Sequence, residues 1–155
     1  MQTFLPYADF AASAAVLDER RLGKQRVEAL QVLRALTRTP YGWKNHPAVL
    51  MWAGAEEALV RYGLDVCAVW TARGRNDTVA ATLARDAEEA LGLVTARTQA
   101  QLAAAGDVPA WLGDERVHLS HRSRLIQKDP GFYRPHFPGT PEDLECFWPV
   151  RRSTS

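Results

Sequence analysis

Residues 20–35 combine one carboxylate with several cations and an amide at helical spacing. At 100° per residue, Glu28 shares a helix face with a basic, amide-bearing row, whose other members are Arg20, Arg21, Lys24, Gln31 and the small Ala35. A single carboxylate in a basic, amide-bearing row with room beside it is a candidate functional group. Alternatively, Lys24 and Glu28 form a solvated ion pair, although lysine four residues before glutamate is the less favourable order.

The opposite face of the same segment is apolar and predicts the buried side of a helix. Its stripe consists of Leu22, Ala29, Leu33 and Leu36, with Gln25 and Leu30 at the margins. Arg26 projects from the middle of this stripe. Either its aliphatic stem lies along the core while the guanidinium reaches solvent, or the core holds that guanidinium against a phosphate or a base.

Two other segments carry residue types suited to nucleic acid. Residues 41–47 place aromatics and the polar side chains of Lys44, Asn45 and His46 before a helix start, whose free N–H groups suit a phosphate. Loops with glycine and proline also have this composition for structural reasons alone. Residues 118–137 interleave cations with aromatics, as in a strand-gripping surface, and supply the candidates His118, His121, Arg122, Arg124, Lys128, Tyr133 and Arg134.

The net charge of +1 conceals an uneven distribution along the chain. Residues 19–44 contain seven basic and two acidic side chains, and residues 116–136 contain five basic and one acidic. The intervening residues 52–114 contain five basic and nine acidic side chains. The two basic segments could converge on one phosphate-binding face; alternatively, each is a solvated helix face.

Length and composition predict one domain whose core needs no disulfide or metal to be stable. A chain of 155 residues, 46% hydrophobic, buries enough surface for a core. We expect a single domain over residues 1–150 and a disordered tail at 151–155. Cys67 and Cys146 lie in no CxxC or CxxH context, and His118 and His121 lack a third ligand, so we expect reduced thiols and no metal. Without an export signal or a membrane-length apolar run, we expect a cytoplasmic protein.

Start and stop signals predict an all-α fold of about five helices packed around a long N-terminal helix. Asp18 would cap a helix that ends near Thr37, and Pro47 would open a helical stretch that stops at Gly74. Three further helices are expected, over residues 78–91 after Asp77, over 95–105, and from 114 or 115 to 128 before Pro130. Alternating β-branched runs are missing from the sequence, which argues against strands.

Several of these segments together resemble the pyrimidine-dimer DNA glycosylase (phage endonuclease type) family and its bacterial relatives. The similar residues are 17–22 through 28–30, then 41–47, the helix that leads to Trp70, Arg73 and Gly74, and the basic, aromatic segment 124–134. The resemblance implies a compact all-α domain that binds damaged duplex DNA and flips a nucleotide out of the stack. It further implies glycosidic cleavage through an imine at the sugar C1′, with an N-terminal α-amine as nucleophile and Glu28 as the acid–base group.

Two positions depart from that family. Gln2 stands where phage-type enzymes have a small residue, so Met1 should be retained and the nucleophile could be the amine of Met1, of Thr3 after trimming, or of Lys24. An α-amine, with a reference pKa of about 8, is favoured over a lysine, with about 10.4, that a carboxylate keeps charged. Val27 replaces an arginine beside the glutamate, and Arg26 could substitute from another direction.

The sequence thus predicts a DNA repair glycosylase with abasic-site lyase activity. It should act on damaged pyrimidines in duplex DNA, without a cofactor, as a monomer that associates with the nucleoid when bound. Two other hypotheses remain open at this point. One is a non-catalytic nucleic-acid-binding module on the same scaffold, and the other is an N-glycosidase of modified nucleosides.

Overall fold

The computed structural model describes residues 1–150, and within them the chain is all-helical without strands. The helices are α1 (Phe10–Ala15), α2 (Glu19–Thr37), α3 (Pro47–Leu50), α4 (Glu56–Ala72), α5 (Val79–Leu91), α6 (Gln99–Ala105), α7 (Glu115–Lys128) and α8 (Pro130–Tyr133). The predicted fold class is confirmed. The expected tail at 151–155 lies outside the described residues.

The long helix α2 begins and ends as the sequence predicts. Asp18 accepts a hydrogen bond from the backbone N–H of Arg21 at 3.3 Å, and Thr37 is the last helical residue. The helix packs against α4 and α5, which also pack against each other. It is therefore the central helix of the domain, although one of its faces stays exposed.

This central position buries more of α2 than the predicted stripe. Leu22, Ala29 and Leu33 are fully buried, as predicted, but Leu36 is only partly buried. Three residues placed outside the stripe or at its margin, Gln25, Glu28 and Ala35, are buried as well. A pattern of apolar residues finds one buried side, whereas α2 is covered on more than one side by other parts of the fold.

Other helix boundaries differ for local reasons. The stretch that begins at Pro47 is two helices, because the chain turns at residues 51–55 with Gly54 in the left-handed region (φ 83°). Helix α6 begins at Gln99 rather than near residue 95, since Thr98 and Gln101 form a capping box. The short helices α1 and α8 were not predicted. Within residues 1–150, no helix is both long and apolar enough to span a membrane.

Residues 3–6 run through the core. Thr3 and Leu5 are fully buried and Phe4 nearly so. The hydroxyl of Thr3 accepts a hydrogen bond from the indole N–H of Trp52 at 3.0 Å. Because this segment is fixed, the two residues that precede it are fixed beside α2.

Candidate active site

A cavity of about 290 Å³ opens where the N-terminus meets the polar face of α2. Its lining includes one carboxylate, two side-chain amides and several cations. The lining residues are Met1, Gln2, Phe4, Arg20, Arg21, Lys24, Gln25, Glu28 and Lys128. Helix α2 supplies most of these residues, and Lys128 comes from the last turn of α7. The two basic segments of the sequence therefore both reach this cavity.

The two carboxylate oxygens of Glu28 have different surroundings. Oε2 accepts hydrogen bonds from the side-chain amide of Gln25 at 2.9 Å and from the backbone N–H of Gln2 at 3.3 Å. Oε1 lies 3.6 Å from the ammonium nitrogen of Lys24. Glu28 is only 7% exposed, whereas the Lys24 side chain is 72% exposed. Glu28 is thus a buried acid that turns one oxygen towards the protein and the other towards the cavity.

Two histidines of α7 hold the backbone of Leu5. His118 donates from Nδ1 to the carbonyl of Leu5 at 2.8 Å, because its Nε2 already accepts from the N–H of Gly113 at 2.9 Å. His121 accepts the N–H of Leu5 at Nδ1, at 2.9 Å. Burial, and to a smaller extent the neighbouring His118, lower the pKa of His121 to about 3. A neutral His121 therefore anchors the segment that carries the N-terminus.

His46 caps the start of α3. Its Nδ1 accepts a hydrogen bond from the N–H of Ala48, and its ring contacts those of Trp43 and Trp148 edge to face. Burial lowers the pKa of His46, the charge of the N-terminal amine lowers it further, and the charge of Glu28 raises it in part. The ring is thus within electrostatic reach of both the amine and the carboxylate.

The structure brings together about a third of the predicted site residues at this cavity. Met1, Arg20, Arg21, Lys24, Glu28 and Lys128 line the cavity. Lys44, Asn45 and His46 line a second recess of about 450 Å³, formed by residues 39–46, in which Trp43 is 48% exposed. Gln31 is partly buried on α2 and does not line the cavity.

Arg26 faces the protein rather than DNA. Its guanidinium pairs with the carboxylate of Asp77 and lies 4.4 Å from the centre of the Trp70 ring. The side chains of Arg26 and Asp77 are 14% and 3% exposed. The sequence suggested that the guanidinium of Arg26 either reaches solvent or is held against a phosphate or a base. The structure shows neither, because the guanidinium forms a buried ion pair that joins α2 to the start of α5.

The candidates from residues 118–137 mostly have structural partners. The prediction that His118 and His121 contact DNA is wrong for this structure, because both rings are buried against Leu5. The prediction for Tyr133 fails in the same way, since the side chain is fully buried and its hydroxyl hydrogen-bonds to Asp18.

The remaining arginines of this segment are partly engaged. Arg122 donates to the carbonyl of Pro6 at 2.8 Å and pairs with Glu115. Arg124 donates to Gln127, and Arg134 pairs with Glu142. Arg134 is 61% exposed and its pair is solvated, so it remains available at the surface.

Sequence reasoning missed the residues that hold the site together. Gln25 contacts Glu28 and the backbone of residues 2 and 4, and Tyr62 contacts both Gln25 and Phe4. The one available signal was an amide at the margin of an apolar stripe, since such a residue needs buried partners. Apart from Glu28, its partners lie more than 20 residues away, beyond the reach of any local pattern.

The arrangement can support amine chemistry at an anionic ligand. The N-terminal residue Met1 and the buried carboxylate of Glu28 line one cavity, together with the cations Arg20, Lys24 and Lys128. A carboxylate in this position can accept and return protons while the amine bonds to an electrophilic carbon. Within residues 1–150, no three His, Cys, Asp or Glu side chains converge as metal ligands would.

Comparison with known proteins places these residues in a family. The family model of the pyrimidine dimer DNA glycosylases matches residues 1–83, which include the N-terminal segment, all of α2 and the loop that carries His46. No curated protein and no solved structure matches the chain significantly. Because the family model covers more than half of the 155 residues, the chain belongs to the pyrimidine dimer DNA glycosylase family.

Proposed function

We propose that the chain is a DNA glycosylase with abasic-site lyase activity, which acts on damaged pyrimidines in duplex DNA through an imine between a protein amine and the sugar C1′. Family membership supports a pyrimidine dimer DNA glycosylase role in general, and with it the binding of damaged DNA. One observation carries the finer proposal. The backbone nitrogen of Gln2 lies 3.3 Å from the buried carboxylate of Glu28, at the wall of a cationic cavity.

The α-amine of Met1 is the proposed nucleophile. Met1 lines the cavity, and its amine is within electrostatic reach of His46. Lys24 also lines the cavity, but its side chain is 72% exposed and its ammonium nitrogen lies 3.6 Å from Oε1 of Glu28. An amine at Thr3 would require removal of Gln2, whose N–H and C=O are both hydrogen-bonded in the site. The Met1 amine needs neither trimming nor a rearranged side chain.

The chemistry divides between this amine and Glu28. The amine nitrogen bonds to C1′ as the C1′–N glycosidic bond breaks, and the base leaves as an anion that takes a proton from solvent. Oε1 of Glu28 accepts the proton lost by the attacking nitrogen and returns it to O4′ as the C1′–O4′ bond opens, which gives the imine. The carboxylate, free again, then removes a proton from C2′, and β-elimination expels the 3′ phosphate. The lesion sugar must leave the duplex to reach these groups.

The rim of the cavity is the proposed contact to the DNA backbone. Arg20, Lys24 and Lys128 surround the opening, and the side chain of Lys24 is 72% exposed. Neutralisation of about three phosphates predicts that log K falls with log salt concentration at a slope of about −3. A module that reads only a free nucleoside would show little salt dependence.

Borohydride trapping on duplexes that carry an abasic site or a pyrimidine dimer tests the proposal. The wild-type protein should form a covalent adduct. Glu28→Gln should bind the same DNA within about twofold and trap it at least about 100-fold more slowly, since an acid–base group contributes on that order. Glu19→Gln is the matched control, because Glu19 lies exposed on the same helix and pairs with Arg75.

The other outcomes separate the competing functions. Binding without trapping or strand cleavage on any duplex would leave a non-catalytic nucleic-acid-binding module. Cleavage of free modified nucleosides without duplex cleavage would indicate an N-glycosidase. The intact mass of the protein gives an independent check, since an acetylated or otherwise blocked N-terminus cannot supply the α-amine.

A further inference from the structure

Gln25 uses every hydrogen-bonding capacity of its side-chain amide. Oε1 accepts the N–H of Phe4 at 2.9 Å and the hydroxyl of Tyr62 at 2.8 Å. Nε2 donates to the carbonyl of Gln2 at 2.9 Å and to Oε2 of Glu28 at 2.9 Å. A backbone N–H can only donate and a carbonyl can only accept, so these partners determine which end of the amide is oxygen. Gln25 is only 2% exposed.

We propose that Gln25 is a positioning residue that sets the geometry between the N-terminal nucleophile and Glu28. This inference rests on the proposed function of the same cavity. One amide group holds the backbone of residues 2 and 4 on one side and the carboxylate on the other. The two reacting partners therefore have a common reference point in the amide of Gln25.

The hydrogen bond from Gln25 also gives the two carboxylate oxygens of Glu28 different roles. Oε2 is occupied by Gln25 and by the N–H of Gln2. Oε1 is left to face the cavity and Lys24. The oxygen that exchanges protons is therefore Oε1, and rotation of the carboxylate that would exchange the oxygens requires the loss of two hydrogen bonds.

Tyr62 fixes Gln25 from behind. Its side chain is fully buried against the rings of Phe10 and Trp52, and its hydroxyl contacts both Gln25 and the carbonyl of Phe4. Burial, with a smaller contribution from the charge of Glu28, raises the pKa of Tyr62 and so keeps the hydroxyl a donor. Even without that hydroxyl, the N–H of Phe4 still orients the amide of Gln25, so Tyr62 should matter less.

Three variants separate the two sides of the Gln25 amide. Gln25→Met removes both the acceptor for Phe4 and Tyr62 and the donor to Gln2 and Glu28. Gln25→Glu keeps an acceptor for Phe4 and Tyr62 but removes the donor to Glu28 and Gln2. Tyr62→Phe removes one hydroxyl and keeps the ring. Gln101→Met, which breaks the capping box of α6 away from the cavity, is the control for lost stability.

The main readout is the single-turnover rate of borohydride trapping at saturating abasic duplex, with the DNA Kd and the thermal midpoint measured alongside. Gln25→Met and Gln25→Glu should trap about 100-fold more slowly at an unchanged Kd, because a small misplacement of reacting groups costs about that much. Tyr62→Phe should slow trapping less than tenfold, and Gln101→Met should leave the rate unchanged.

A second readout needs no DNA. Free 2-deoxyribose and borohydride alkylate protein amines, and peptide mass mapping gives the ratio of alkylation at Met1 to alkylation at Lys24. In the wild type this ratio should favour Met1, and both Gln25 variants should reduce it. Variants that keep the wild-type trapping rate and ratio, or whose rates fall only with the folded fraction, would overturn the role of Gln25. A wild type with a high ratio that never traps DNA would instead refute the proposed function and leave Gln25 its role.

Discussion

The histidine that anchors the N-terminal segment should make stability depend on pH in a predictable way. His121 is neutral and fully buried in the fold, where its Nδ1 accepts the N–H of Leu5. Its pKa is about 3 in the fold, against an ordinary value of 6.5. Between these values the unfolded chain binds a proton that the folded chain does not, so stability falls as pH falls from 6.5 towards 3.

The size of this effect follows from the two pKa values. At 1.36 kcal/mol for each unit, acidification from pH 7 to pH 5 should remove about 2 kcal/mol through His121 alone. His121→Asn keeps an oxygen that can accept the N–H of Leu5 but cannot titrate. The variant should therefore lose about 2 kcal/mol less than the wild type over this interval, whatever its stability at pH 7.

Urea denaturation at pH 7 and pH 5 measures this difference, because the contributions of other titrating groups cancel between the two proteins. His136→Asn is the matched control, since it removes an imidazole that lies exposed at the surface. Equal losses for the wild type and His121→Asn would refute the assignment of a buried neutral ring as the anchor.

Two further substitutions test packing around α2. Arg26→Met should lower the free energy of unfolding by roughly 3 kcal/mol, because it leaves the buried carboxylate of Asp77 without its cation; weaker DNA binding at unchanged stability would instead give Arg26 a role at the DNA. Gly63→Ala should cost about 1–3 kcal/mol in urea denaturation, because its Cβ would lie 2.8 Å from Cδ1 of Leu83. Gly131→Ala, with no neighbour nearer than 3.9 Å, should change stability by less than about 0.5 kcal/mol, and equal effects at the two glycines would contradict the packing argument.

The helical framework was predictable because its signals are local. Asp18 at the start of α2 and the left-handed Gly92 and Gly106 after α5 and α6 act within one turn of the helix they limit. The capping box at Thr98 acts over the same range, yet the predicted helix began before it, since residues 95–105 as a whole are rich in alanine and glutamine. The division of α3 from α4 depends on the turn at Gly54, which a hydrophobic period does not detect.

The cavity was predictable only in part. The polar face of α2 singled out Glu28 together with Lys24 and Arg20, and the structure places all three at one cavity. Their roles stay predictions. The histidines of α7 were expected at a DNA-binding surface but lie against Leu5. A basic, aromatic sequence is the same whether its helix face binds a ligand or packs against the chain's own N-terminal segment. That distinction depends on contacts across more than 100 residues, such as the one between Leu5 and His121.

The position of the covalent bond tests the central claim most directly. After borohydride trapping on an abasic duplex, nuclease treatment and proteolysis should leave a sugar remnant on a single peptide. We expect mass mapping to place that remnant on the α-amine of Met1, beside Glu28. A remnant on Lys24, or on any side chain outside the cavity, would contradict the proposal that the N-terminal amine is the nucleophile.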